Sequence, residues 1–202
     1  MTKLTRSRYS ALLGVAVVAM ALSPVIASAA TSSAGTTVTA TVSSTISVST
    51  SAAVGFSITP IAGGSQSSSS DTVTVNTNNS TGYYLTLADA DAATTLTSGA
   101  NSILTGAGTQ AAPVALANNS WGYRVDNTGG FGAGPTTTLT NASSSTQTFA
   151  GMPASGSPNT LKTTATTASG DTTTVWYSAK VDTSKPSGAY VDSVTYTATT
   201  NP

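Results

Sequence analysis

The chain has 202 residues, with seven basic and seven acidic side chains and a formal net charge of zero. It contains no cysteine, histidine or glutamate. Disulfides, zinc centres and histidine- or cysteine-based catalysis are therefore excluded, and without a basic stripe nucleic acid is not expected as a partner.

Lys3, Arg6 and Arg8 lead into the apolar run 11–22, followed by Pro24 and the small-residue sequence Ala27-Ser28-Ala29. This order predicts a secretory signal peptide over residues 1–29, with an apolar run too short for a permanent anchor. The product is expected outside the cell, secreted or at the cell surface, with no membrane attachment after cleavage. Beyond Ala29 only Arg124, Lys162, Lys180 and Lys185 stand against seven aspartates, so the exported part is weakly acidic.

In residues 36–50, Val38, Ala40, Val42, Ile46 and Val48 all fall on even positions, which predicts a half-buried strand. Val54, Phe56 and Ile58 keep that parity up to Pro60. Residues 30–60 are thus expected to form an N-terminal strand segment, packed on the domain or available for strand exchange, and 61–202 a β-sandwich body. The tract AGGSQSSSS, 62–70, predicts a flexible loop. Further strands are predicted over 73–77, 83–87, 121–125, 136–140, 146–150, 172–181 and 190–199, with a short helix over 88–97 capped at Asp89-Ala90-Asp91. Many short alternating strands between Gly, Pro, Asn and Ser turns predict an all-β chain. The expected fold is a single antiparallel or mixed sandwich, Ig-like or jelly-roll-like.

Strand parity sorts the aromatic residues. Tyr83 shares a face with Leu85 and Leu87, Trp121 with Tyr123 and Val125, and Tyr196 with Val194. Tyr83, Trp121 and Tyr196 are therefore the expected core aromatics. Tyr84 and Trp176 lie opposite the apolar parity of their strands and are the candidate contacts for a glycan or partner.

Two passages, STGYYLTL and SGAYVDSVTYTATTNP, resemble in order and placement the motifs of WxL-type cell-wall-associated proteins of Gram-positive bacteria. Tyr83 and Tyr196 stand where that family has tryptophan, with Leu85 and Ala198 two residues on. The phrases DTVTVNTNNSTGY, ANNSWGYRV and TTTVWYSAKVDTSKPSGAYVDSVTYTATTNP resemble uncharacterised exported β-sandwich surface proteins of Saccharibacteria-type bacteria. The resemblances imply secretion, a β-sandwich and non-covalent association with the wall, and hand over no catalytic residues.

General-base candidates reduce to Asp, Lys and Tyr, and no G-x-S-x-G elbow occurs. No catalytic residue, metal ligand or cofactor is predicted. Asp89-Ala90-Asp91 and RVDNTGG offer calcium-type oxygens but read as turns. The expected function is a non-enzymatic structural or adhesive protein of the cell surface, associated non-covalently with the envelope. Its expected partners are cell-wall glycan, another surface protein or further copies of itself. The alternatives are a polymerising pilin-like or surface-layer subunit exchanging strand 36–50, and a carbohydrate-binding module.

Overall fold

The computed structural model describes residues 29–202, so the expected signal peptide lies, save for Ala29, outside the described residues. The chain divides into two compact units, Met1–Thr41 and Val42–Pro202. Of the first, residues 29–41 are exposed and contain neither helix nor strand.

The second unit contains nine strands: β1 (Ile46–Ser49), β2 (Ser65–Thr77), β3 (Tyr83–Asp89), β4 (Leu96–Ser98), β5 (Asn101–Thr105), β6 (Ser120–Arg124), β7 (Asn159–Thr163), β8 (Ala168–Val181) and β9 (Val194–Thr200). They form a six-stranded sheet, in the order β1-β2-β8-β6-β5-β4, and a three-stranded sheet, β7-β3-β9. Pairing is antiparallel except between β5 and β6, and the fold is an all-β sandwich. Among the described residues there is no helix.

The core follows the period-2 pattern. Val73 and Val75 of β2, Tyr83, Leu85 and Leu87 of β3, and Val175, Tyr177, Ala179 and Val181 of β8 converge as one buried cluster. Two hydrogen bonds of phenolic hydroxyls tie the sheets together across it. Tyr83 Oη donates to Asp171 Oδ2 at 2.8 Å, and the Tyr177 and Tyr196 hydroxyls lie 2.6 Å apart. Gly82, with φ 83°, closes the turn that delivers the chain into β3, its N–H donating to Asn79 O at 3.1 Å. An L side chain adopts that conformation only at a cost.

Four local expectations are corrected. The strand expected over 36–50 shrinks to Ile46–Ser49, while Val38 and Val42 are 89% and 83% exposed. Ile46 stands opposite Thr77, the last residue of β2, so the ladder ends there. Asn78 then caps it, accepting from Thr45 N at 2.7 Å and donating to Ser43 O at 2.9 Å. The expected helix over 88–97 is the end of β3, a turn and the start of β4. Asp89 Oδ1 accepts from Asp91 N at 3.0 Å and Asp91 Oδ1 from Ala93 N at 2.6 Å, which closes local turns in place of a helix.

The third correction concerns 62–70, expected as a loop. Ser65–Ser68 form the first, fully buried part of β2. Segment 139–142 covers this half. Gln66 and Ala142 exchange two backbone hydrogen bonds at 2.8 Å, Ser68 Oγ accepts from Leu139 N at 2.8 Å, and Ser67 Oγ from Asn141 N at 2.9 Å. Small hydroxylated side chains let the covering segment approach and then satisfy its amides, so polarity here marks burial under a lid of chain. Finally, 136–140 and 146–150 carry isolated bridges at most, whereas β4, β5 and β7 were not anticipated.

Leu85→Ala removes a fully buried side chain and is expected to destabilise the domain by about 2–5 kcal/mol. Ser68→Ala leaves Leu139 N without its acceptor and costs about 1 kcal/mol. Urea denaturation of each variant measures both.

Candidate functional site

β8 fixes the site because it is paired on both sides. The ladders set Trp176 opposite Ser70 of β2 and Arg124 of β6. With Val175 and Tyr177 turned to the core, Trp176 faces the outside of the sheet and is half-buried. It borders an open groove of about 740 Å³, whose other walls include Gln110, Asp126, Asn127, Lys162 and Thr174. The lining is dominated by hydroxyl and amide groups with one indole among them.

The groove walls are held rigidly. The Arg124 guanidinium is buried, donating to Asp126 Oδ1 at 2.9 Å and to Thr136 Oγ1, and it stacks 5.8 Å above the Phe131 ring. Burial pushes the Asp126 carboxyl up. Hydrogen bonds from Thr136 and Arg124 outweigh this and hold it below the usual carboxylate range. Both oxygens of Asp126 are thus committed within the fold: Oδ2 accepts from Thr136 N at 2.8 Å. On the facing wall Lys162 Nζ donates to Asp171 Oδ1 at 2.5 Å, the carboxylate that also receives the Tyr83 hydroxyl. At the Gln110 end, Tyr123 Oη donates to Gln110 Oε1 at 2.9 Å and accepts from Asn159 Nδ2 at 2.7 Å. Burial pushes the Tyr123 phenol up to about 12, against the lowering effect of the Asn159 contact. Gly122, beside Tyr123, admits the close approach of Ala150, whose carbonyl a Cβ would strike.

The two candidate contact residues are not brought together. Tyr84, 37% exposed, stands on the outer face of the smaller sheet in a separate shallow depression with Thr86, Pro158, Thr195 and Thr197. Tyr83 and Trp121 are buried, the Trp121 Nε1–H donating to Thr94 O at 3.0 Å, and Tyr196 is half-buried against Tyr177. Sequence reasoning missed Gln110, Lys162 and Asp126 as groove walls, and Arg124 as the buried group that holds Asp126 behind them. Only the RVDNTGG turn signal pointed to this corner, and it was read for its turn residues.

Among the described residues no group of three or more ligating side chains lies close enough to hold a metal ion, and no helix is long and apolar enough to cross a membrane. Comparison with family models, curated proteins and solved structures finds no match.

In the Trp121→Phe variant all remaining indole fluorescence beyond residue 29 comes from Trp176, and acrylamide is expected to quench it readily. Full shielding would remove Trp176 as a surface contact. Asp126→Ala leaves the buried Arg124 guanidinium without its carboxylate and is expected to cost about 3 kcal/mol at neutral pH. Because the folded-state Asp126 carboxyl titrates below its unfolded value of 3.8, its contribution is present above that pH and lost as pH falls through the folded value. Thermal melts from neutral to acid pH should show a wild-type acid limb that is shallower in the variant.

Proposed function

We propose that the protein is an exported, non-enzymatic surface protein that holds to envelope glycan through the groove beside Trp176. One observation carries this reading: an outward-facing indole set against an open groove whose remaining walls are mostly hydroxyls and amides. A sugar ring offers an apolar C–H face to an aromatic ring and hydroxyls to polar neighbours, and this lining answers both. The rigid hydrogen bonding behind the groove keeps the ordering cost of binding low. The absence of histidine, cysteine and glutamate supports a binding role over a catalytic one.

A second reading, a polymerising subunit, is favoured by a different observation. Val38 and Val42 expose an alternating apolar pattern of the kind that adds as a strand to a neighbouring sheet.

Sedimentation with isolated cell walls over a range of salt separates the two. Saturable, salt-resistant binding is expected for the glycan reading. Trp176→Ala should weaken it at least tenfold, about 1.4 kcal/mol, while Tyr84→Ala, on a separate surface, leaves it nearly unchanged. No wall binding together with concentration-dependent assembly in light scattering would replace this reading by the second. Saturable binding to soluble oligosaccharides alone would reassign the protein as a carbohydrate-binding module.

A further inference from the structure

Three aspartates lie at the far end of the smaller sheet: Asp89 and Asp91, two residues apart, and Asp192, distant in sequence. β3 and β9 pair with Asp89 opposite Val194, and the pairing runs on beyond β9, since Ala90 N donates to Ser193 O at 2.9 Å. Continued by one more step, this register sets Asp91 across from Asp192. Asp89 shares the inward parity of Leu85 and Leu87, and Asp192 that of Val194 and Tyr196.

Both carboxyl groups are half satisfied in the same way. Asp89 is 1% exposed, and its Oδ1 accepts from Asp91 N. Asp192 Oδ1 accepts from Ser193 N at 2.8 Å. The Oδ2 atoms of Asp89 and Asp192 are both buried without a hydrogen-bond partner, and the Asp89 carboxyl lies close enough to push that of Asp192 up. Two neighbouring buried acceptors cannot satisfy one another unless something positive stands between them.

The neighbouring elements offer no cation. Arg124 and Lys162 form the ion pairs of the described residues, both with other aspartates. The segment behind Asp89 supplies Pro153 and Ser155, and β4 supplies Thr97 opposite Val191, none of them titratable. Asp91, exposed, adds a further negative charge. Among the described residues no third carboxylate converges on the pair to complete a metal-binding set.

We propose that Asp89 and Asp192 share one proton, forming a pH-sensitive latch that holds the lead-in to β9 onto the end of β3. In the closed form Asp192 carries the proton and its O–H donates to Asp89 Oδ2, which satisfies both buried oxygens. Release of that proton leaves two neighbouring buried anions, and the strand ends part. Burial, reinforced by Asp89 and Asp91, pushes the Asp192 carboxyl up to about 6 from 3.8. The folded chain therefore keeps a proton that the unfolded chain releases. The latch contributes fully below about pH 4, and its contribution is lost as pH rises to about 6. That is opposite in sign to the contribution of Asp126.

The test compares wild type with Asp192→Asn, whose amide donates to Asp89 at every pH, and with Asp89→Asn. Thermal melts and amide exchange at Ala90 would be followed from about pH 4 to about pH 7.5. The wild type should lose melting temperature relative to Asp192→Asn across that window, with the Ala90 protection factor falling at least tenfold. The step should vanish in either variant. Other carboxylates titrate alike in all three proteins and drop out of the difference. Parallel pH profiles for wild type and both variants would overturn the proposal. So would stabilisation of the wild type alone by calcium at about pH 7.5, which would put a cation in place of the proton.

Discussion

The long antiparallel ladder between β2 and β8 is the constraint on which the rest of the structure depends. It runs from Ser65 opposite Val181 to Thr77 opposite Ala168, with one irregularity between Val75 and Thr77. Its backbone hydrogen bonds settle which alternate residues face inward, because a slip of one residue would exchange the two faces of the strand. The inward set, Val73 and Val75 with Val175 and Tyr177, becomes the core. The outward set includes Trp176, and β6 pairing on the other side of β8 brings Arg124 beside it. The candidate groove is thus a consequence of the same register that buries the valines.

With only four basic side chains beyond residue 29, the domain relies on neutral hydrogen bonds to satisfy its interior. Tyrosine hydroxyls cross between the sheets, serine hydroxyls receive the amides of segment 139–142, and Asn78 caps the end of the β1–β2 pair. Asp71, buried on the inward face of β2, accepts from Thr50 Oγ1 and from Ser51 N. Burial pushes its carboxyl up, but those bonds prevail and hold it below the usual range. Where donors surround a carboxylate, as at Asp71, Asp126 and Asp171, ionisation accompanies folding. Where a second carboxylate replaces the donors, as at Asp192, burial and repulsion reverse the preference. The sign at each aspartate thus follows from the balance between burial and the donors or charges around it.

The glycan reading and the polymer reading draw on different parts of the chain. One uses the groove on the folded sandwich, the other the exposed alternation around Val38 and Val42. They are distinguishable because Trp176 has no role in strand addition and Val38 none in lining the groove.

By itself the sequence determined the all-β class, the strands containing Tyr83, Trp121, Trp176 and Tyr196, and the outward parity of Tyr84 and Trp176. Each follows from period-2 alternation, which records the two faces of a strand locally. Only the tertiary structure decided which strands lie side by side. Ser65–Ser68 read as a loop because serine is small and polar, and its burial comes from segment 139–142, distant in sequence. Residues 36–44 read as a strand because they alternate, yet the ladder ends where β2 ends, at Thr77. Asp89 read as a turn residue and Asp192 as part of a strand, until the β3–β9 pairing placed both at one end of the smaller sheet. The groove likewise draws Gln110, Asp126, Lys162 and Trp176 from four separate stretches of chain. Alternation specifies a face but not the partner that covers it, and burial, charge state and site geometry all depend on that partner.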